Sequence, residues 1–110
     1  MELIIRRLQL NSGRVPFDHW LDSLDNRAQL IVTARLARLR AGNFGDYKHV
    51  GAKVFELRID FGSGLRVYFA RQGREIVVLL GGGDKRTQAA DIKKAQTMWK
   101  EFENENSGLS

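Results

Sequence analysis

A change in hydrophobic period near residue 54 constrains the fold of this chain more than any other feature. From there apolar and polar residues alternate, which is the pattern of strands with a buried and a polar face. Gly62-Ser63-Gly64 predicts a turn, and Leu65–Arg71 predicts the returning strand of a hairpin. The apolar side of the first strand comprises Phe55, Leu57, Ile59 and Phe61. The fold is therefore expected to contain a β-hairpin with one apolar face.

The residues before this hairpin follow a helical period instead. Pro16 suits the first turn of a helix, where its missing N–H costs nothing. Asp25 predicts the N-cap of a second helix, and Gly42 predicts its end. The short spacer between them indicates an antiparallel helical hairpin. The inner faces are Phe17, Trp20, Leu21 and Leu24 in the first helix and Ala28, Ile31, Val32, Leu36 and Leu39 in the second.

The ends of the chain complete the predicted order. Glu2–Leu10 predicts an opening strand, residues 43–53 a loop, and Ile76–Leu80 a strand covered on both faces. Residues 81–86, which begin with three glycines, predict a tight loop before a last helix. Asp84 or Thr87 is its predicted cap, and its predicted inner face is Ile92, Ala95, Trp99 and Phe102. We predict an α+β domain over residues 1–103, in which a helical hairpin packs on the single apolar face of a small twisted, mainly antiparallel sheet. Residues 104–110 are predicted to form a disordered polar tail.

Composition narrows the classes of function. The chain has 110 residues, no cysteine and a net charge of +5, which indicates an acidic partner, either nucleic acid or an acidic protein. The absence of cysteine suits a reducing cytoplasm, and no stretch has the length of a signal or membrane segment, so we expect a cytoplasmic protein without a membrane partner. With two histidines and no thiolate, no metal or cofactor is expected.

The polar face of the hairpin is a candidate site. If Phe61 faces Leu65 across the turn, Asp60 faces Arg66 and Arg58 becomes its diagonal neighbour. Two guanidiniums above the ring of Tyr68 would form a cationic patch with an aromatic floor, suited to phosphate and to a stacked base. The alternative is a solvated face with a weak Asp60–Arg66 pair.

Further residues are candidates for a role in binding or catalysis. Backbone N–H groups after Gly83, with Lys85, suit an anion at a helix N-terminus, although no nucleotide-binding fingerprint is present. This loop is expected at the same end of the sheet as its neighbouring strand termini. His49 lies between Lys48 and Lys53 and is either an acid–base group or an ordinary loop histidine. Asp91 is most simply a first-turn helix carboxylate.

Several segments in order resemble the signature of the RelE/ParE toxins. They are Phe55-Glu56-Leu57-Arg58-Ile59, Gly64-Leu65-Arg66-Val67-Tyr68-Phe69 and the stretch from Ile76 through Gly81-Gly82-Gly83 to Lys85. Pro16-Phe17, Trp20-Leu21 and Asp91-Ile92 with Ala95 also resemble the HigB-like group of addiction module killer proteins. The resemblance runs from about Glu2 to Phe102.

The resemblance implies a RelE/ParE-like β-α-α-β-β-β-α fold and the toxin of a type II toxin–antitoxin system. A cognate helix-turn-helix antitoxin, encoded beside it, would bind the toxin and form an oligomer with it. In RNA-cutting members, basic strand and junction residues hold and cleave messenger RNA on the ribosome. By position these correspond to Arg58, Arg66 and Lys85, with Arg86 as a substitute for Lys85. RNA contacts are also expected from Lys48 and Lys53.

Two departures leave the general base open. RelE carries a lysine two residues before the Arg58 position, where this chain has Glu56, and a tyrosine on the last helix, where it has Asp91. Glu56, Asp91 and His49 are the candidates for the base, and Tyr68 is a candidate for either base or substrate contact. The predicted activity is metal-independent, because the ribose 2′-OH is already within the substrate. The alternatives are a ParE-like inhibitor of DNA gyrase and a non-toxic RNA-binding relative.

Overall fold

The computed structural model describes residues 2–107. The elements follow the predicted order with one addition, a short strand before the hairpin. The strands are β1 (Ile4–Arg7), β2 (Tyr47–His49), β3 (Val54–Ile59), β4 (Leu65–Gln72) and β5 (Ile76–Asp84). The helices are α1 (Pro16–Asp22), α2 (Asn26–Arg40) and α3 (Gln88–Ser107), and a 3-10 turn (Lys85–Thr87) joins β5 to α3. Among residues 2–107, none of the helices combines the length and the apolar character that spanning a membrane requires.

The five strands form one sheet in the order β1-β5-β4-β3-β2. β1 runs parallel to β5, and the other three strand pairs are antiparallel. The predicted α+β class is therefore confirmed. The predicted loop over residues 43–53 is wrong in part, because Tyr47–His49 pairs with β3 as an edge strand. Three exposed residues give too short an alternation to predict a strand from sequence.

One face of the sheet packs against α1 and α2. Pro16 occupies the first turn of α1, and the Asp25 carboxylate accepts a hydrogen bond from the Ala28 N–H at 2.8 Å, so both predicted helix starts are confirmed. Gly42, with φ of 93°, follows the end of α2 as predicted. The core on this face includes Phe17, Ala28, Val32 and Leu39 from the helices and Leu57, Val67, Phe69 and Leu79 from the sheet.

The opposite face is covered by α3. The prediction of a single apolar face is therefore wrong, since a second core lies between α3 and the sheet. Its members include Val54, Tyr68, Ala70, Val78, Leu80, Ala95 and Trp99. α3 continues through Ser107, so the predicted tail is helical over residues 104–107. Residues 108–110 lie outside the described part of the chain.

The register of the β3–β4 hairpin differs from the predicted one by two residues. Ile59 pairs with Leu65, and Arg58 pairs with Arg66. The reason is that residues 60–64 form a longer loop, in which the Phe61 N–H donates to the Ile59 carbonyl and the Gly64 N–H donates to the Phe61 carbonyl. The two arginines are therefore directly opposite each other rather than diagonal.

The run of three glycines lies in β5, so the predicted tight loop is wrong at these positions. Gly82 and Gly83 pair with residues of β4. A Cβ on Gly82 would overlap the indole ring of Trp20 on one face, and a Cβ on Gly83 would overlap the Asp91 carboxylate on the other. These two glycines allow helices on both faces to approach the strand closely.

Candidate functional site

The centre of the candidate site is the carboxylate of Glu56, whose side chain has no exposed surface. Oε2 accepts hydrogen bonds from the Gln88 amide at 2.8 Å and from the Tyr68 hydroxyl at 3.2 Å. Oε1 accepts one from Nε of Arg58 at 3.2 Å, and Nε of Arg66 lies 3.5 Å from Oε2. We refer to these five residues as the Glu56 cluster.

Strand pairing and one helical stripe bring the cluster together. Glu56 pairs with Tyr68, and the next pair on the same face is Arg58 with Arg66. Alternate residues of a strand share a face, so these four side chains form two adjacent rows. Gln88 comes from the first turn of α3, on the stripe that continues through the buried Ala95 and Trp99. The helix therefore places an amide above the strand carboxylate.

The electrostatics of the cluster keep Glu56 ionised. Burial alone would raise the pKa of Glu56, but hydrogen bonds from Gln88, Arg58 and Tyr68, with the charge of Arg66, outweigh it and hold this pKa below its usual range. Two guanidiniums and one carboxylate leave the cluster with one net positive charge. A carboxylate that is buried and fully surrounded in this way is suited to orienting cations.

Tyr68 has a different position from the one predicted. Its ring is only 1% exposed, so the predicted aromatic floor is not available to a stacked base and that part of the prediction is wrong. Burial, followed by the adjacent charge of Glu56, raises the pKa of Tyr68. The phenol is therefore neutral at physiological pH and serves as a hydrogen-bond donor to Glu56.

Exposure increases from Glu56 towards the mouth of the cluster. The side chain of Arg66 is 13% exposed and that of Arg58 is 37% exposed. Nη1 of Arg66 donates to the Gly64 carbonyl at 3.4 Å, and its Nε makes no hydrogen bond within residues 2–107. Solvent reaches Arg58 most directly. An anion at this mouth would contact two planar guanidinium groups, which the buried Glu56 carboxylate holds in position.

The junction between β5 and α3 adds basic residues at the same end of the sheet. Asp84 pairs with Leu65, beside the pair of Gly83 and Arg66, which confirms the predicted location of this junction. Lys85 and Arg86 follow and are exposed. The Asp84 carboxylate accepts hydrogen bonds from the guanidinium and the backbone N–H of Arg86, and these bonds lower the pKa of Asp84.

Two more predicted residues border the cluster. Asp91 accepts a hydrogen bond from the Thr87 hydroxyl and lies close enough for its charge to raise the pKa of Tyr68. It lines a cavity of about 270 Å³ that Tyr68 and Gly82 also line. Lys48 is exposed on β2 and pairs with Glu56, so its side chain leaves the sheet on the same face.

Two predicted residues lie away from the cluster. His49 pairs with Phe55 and packs on its ring at 5.2 Å, on the opposite face of the sheet from Glu56. Lys53 forms an ion pair with Glu103 of α3, with 3.1 Å between Nζ and Oε2. Within the described residues, no three histidine, aspartate or glutamate side chains are grouped closely enough to hold a metal ion.

Sequence reasoning missed Gln88, which makes the shortest contact with Glu56. A signal for it was present, because Gln88, Asp91, Ala95 and Trp99 are spaced along one side of a helix. The predicted inner face of this helix contains only apolar residues, Ile92, Ala95, Trp99 and Phe102. Extending it by one turn to its polar start would have placed Gln88 and Asp91 against the sheet.

Comparison with known proteins places the chain in a family. Residues 19–102 match the family described as Phage derived protein Gp49-like (DUF891), and this range contains the whole Glu56 cluster. An uncharacterized protein of Haemophilus influenzae is 52% identical over 87 residues, which cover 78% of this chain and 88% of that protein. The chain therefore belongs to the Gp49-like family of phage-derived proteins, a toxin-like family of the RelE/HigB type.

Proposed function

We propose that the protein is the toxin of a toxin–antitoxin pair and that it cleaves messenger RNA on the ribosome, with the Glu56 cluster as its active site. Membership of a toxin-like family supports the first part. The observation that carries the second is the pair of opposed arginines, Arg58 and Arg66, which a single buried carboxylate holds at a partly exposed mouth. This arrangement suits a phosphodiester whose negative charge increases during the reaction.

The reaction we propose needs only groups of the substrate and the protein. The ribose 2′-oxygen attacks its neighbouring phosphorus, the P–O5′ bond breaks, and the products carry a 2′,3′-cyclic phosphate and a 5′-hydroxyl. Arg58 and Arg66 stabilise the dianionic phosphorane, and Lys85 or Arg86 holds a flanking phosphate. Alignment of the 2′-oxygen with the scissile bond supplies a further part of the acceleration.

The structure favours different roles for the candidate bases. Glu56 is buried and its oxygens are occupied, so we assign it the positioning of the arginines. His49 lies on the other face of the sheet. Asp91 borders the cavity that reaches Tyr68, and we therefore assign it removal of the 2′-OH proton, while the leaving 5′-oxygen takes up a proton from solvent.

Induction in growing bacterial cells, with the 5′ ends of transcripts mapped by primer extension, tests this function. We expect growth arrest and new 5′ ends inside the codons of a translated reporter. The matched control is the same reporter without its start codon, which should stay intact because it carries no ribosomes. DNA breaks without transcript cleavage would favour gyrase as the target. Absence of both effects would favour a non-toxic relative.

The antitoxin is tested separately, by co-expression with the small protein encoded next to this chain. Toxins of this kind have to be neutralised in the cell that makes them, so we expect a stable complex and restored growth. A neighbouring protein that neither co-purifies with the chain nor restores growth would contradict the assignment of a cognate antitoxin there.

A further inference from the structure

A second concave surface lies on the flank of α3, outside the Glu56 cluster. It is a groove of about 610 Å³ between α3 and the connection from β1 to α1. Its floor is apolar, formed by Leu10, Pro16, Ala90 and Met98. Its rim is basic, formed by Arg14, Lys93 and Lys94. We call this surface the α3 groove.

The spacing of residues on α3 explains the groove. Ala90, Lys94 and Met98 are four residues apart and form one stripe along the helix. The neighbouring stripe, which contains Ala95 and Trp99, is buried against the sheet. The groove stripe therefore lies at the edge of the helix–sheet contact and faces the β1–α1 connection across a gap.

The basic rim is not neutralised within the described structure. Arg14, Lys93 and Lys94 are exposed, and none of them forms an ion pair with another residue in the range 2–107. Three cations beside an apolar floor are complementary to a ligand with an apolar stripe and acidic flanks. An amphipathic helix has this chemistry when glutamate or aspartate borders its apolar side.

We propose that the α3 groove binds an acidic amphipathic helix of a partner protein. A helix of this kind covers the apolar floor and pairs with the basic rim at the same time. Single-stranded RNA would satisfy the cations but leave the floor exposed, and the groove lining contains no aromatic ring on which a base stacks. The apolar floor therefore decides between the two classes of ligand.

The groove adjoins the candidate active site. Arg14, Pro16, Lys94 and Met98 also line the cavity that reaches Asp91 and Tyr68. A helix in the groove would therefore block one approach to Asp91, and its binding would inhibit the protein. This inhibition rests on the proposed function, whereas the binding itself does not.

The test uses the full chain and a fluorescently labelled synthetic peptide of about 20 residues, which is about 30 Å of helix. The peptide has leucines along one helical side and glutamates on both flanks. We expect saturable binding by anisotropy, with amide NMR shifts concentrated at residues 10–16 and 90–98. A permuted peptide of the same composition, without an apolar side, and a 12-nucleotide uridine RNA should leave these amides unshifted.

Charge-reversal variants locate the site. Lys93→Glu with Lys94→Glu should weaken binding by at least about tenfold, because like charges then face each other across the rim. Lys100→Glu, on the same helix but outside the groove lining, should change the affinity less than about twofold. The proposal would be overturned if the peptide does not bind, if the permuted peptide binds equally well, or if the RNA binds in the groove. Equal losses of affinity in the double variant and in Lys100→Glu would also overturn it. Transcript cleavage is measured in a separate assay, so the binding result can be interpreted even if the protein does not cleave RNA.

Discussion

The two faces of the sheet contain the same kind of charge pair in different settings. On the α1/α2 face, Arg7 and Asp18 form an ion pair at 3.0 Å with side chains 58% and 41% exposed. On the α3 face, Glu56 contacts Arg58 and Arg66 at similar distances but has no exposed surface. Water competes for the first pair and is excluded from the second carboxylate. Removing one partner is therefore expected to cost more stability in the buried pair, although the distances between the charged atoms are similar.

The difference also marks where function is expected. The α1/α2 face buries an apolar core and one charged side chain, Arg35 of α2, which donates hydrogen bonds to the backbone carbonyls of Asn43 and Phe44. The α3 face buries an apolar core along most of the helix, and around Gln88 it buries a charged cluster. Burying a charged group costs free energy, which its hydrogen-bond partners have to offset. Buried titratable groups with shifted pKa values cluster at functional sites, so function is expected at the Glu56 cluster.

The largest expected effect on stability comes from removing the buried charge. Glu56→Gln keeps the size of the side chain but leaves two guanidiniums without their counter-charge. We expect the free energy of unfolding to fall by about 3 kcal/mol. Urea titration of the purified variant measures it. The matched control, Glu75→Gln, changes an exposed residue in the β4–β5 turn and should cost less than about 0.5 kcal/mol. Equal losses in the two variants would erase the contrast between buried and exposed charge.

Close packing at β5 gives the next largest effect. Gly83→Ala places a methyl group where the Asp91 carboxylate lies, and we expect a loss of about 2 kcal/mol. In an Asp91→Ala background the obstruction is gone, so the same substitution should cost much less. The double-mutant cycle by urea titration reports this coupling. Purely additive losses would mean that the strand and α3 do not approach as closely as described.

Lowering the pH should remove the contribution of the Glu56 carboxylate to the free energy of unfolding. Because the pKa of Glu56 is lower in the folded protein than its ordinary value of 4.5, the ionised carboxylate contributes stability above that value and loses it as pH falls through the folded pKa. The stability gap between wild type and Glu56→Gln should therefore narrow as the pH falls below 4.5. Urea midpoints measured across this range follow it. A gap that stays constant would show that Glu56 is not preferentially ionised in the folded state.

The smallest effect is expected on the other face. Arg7→Ala removes the exposed pair with Asp18, and the free energy of unfolding should change by less than about 0.5 kcal/mol. Raising the salt concentration should reduce even that change, because exposed pairs are screened. A loss as large as that of Glu56→Gln, in the same urea assay, would show that burial is not what separates the two faces.

Much of the fold was predictable because it depends on local patterns. The helical period around Phe17, the N-cap at Asp25 and the alternation through Leu57 and Val67 each concern residues close in sequence, and the structure contains the elements they predict. The hairpin register was not predictable in the same way. Gly62-Ser63-Gly64 is compatible with loops of different length, and each choice changes which residues face each other.

The candidate site was only partly predictable, because its burial arises from contacts distant in sequence. Arg58 and Arg66 were predicted to be neighbours, and they are, although by direct pairing. Glu56 has the local pattern of a solvent-facing strand residue. Its burial includes a contact with Gln88 of α3, 32 positions later in the chain, which donates a hydrogen bond to its carboxylate. The role of the glycines in β5 depends in the same way on helices from both ends of the chain.

The rate of transcript cleavage by an Arg66→Ala variant shows whether the Glu56 cluster is the active site. The variant is induced beside wild type, transcript ends are mapped by primer extension, and a thermal melt shows that each purified protein is folded. The control is Arg74→Ala, an exposed arginine at the other end of β4. We expect Arg74→Ala to cut at the wild-type rate and folded Arg66→Ala to cut about 10²–10³ times more slowly, the loss typical of one donor to a transition-state oxyanion. A folded Arg66→Ala protein that cuts at the wild-type rate would contradict the assignment of the active site to this cluster.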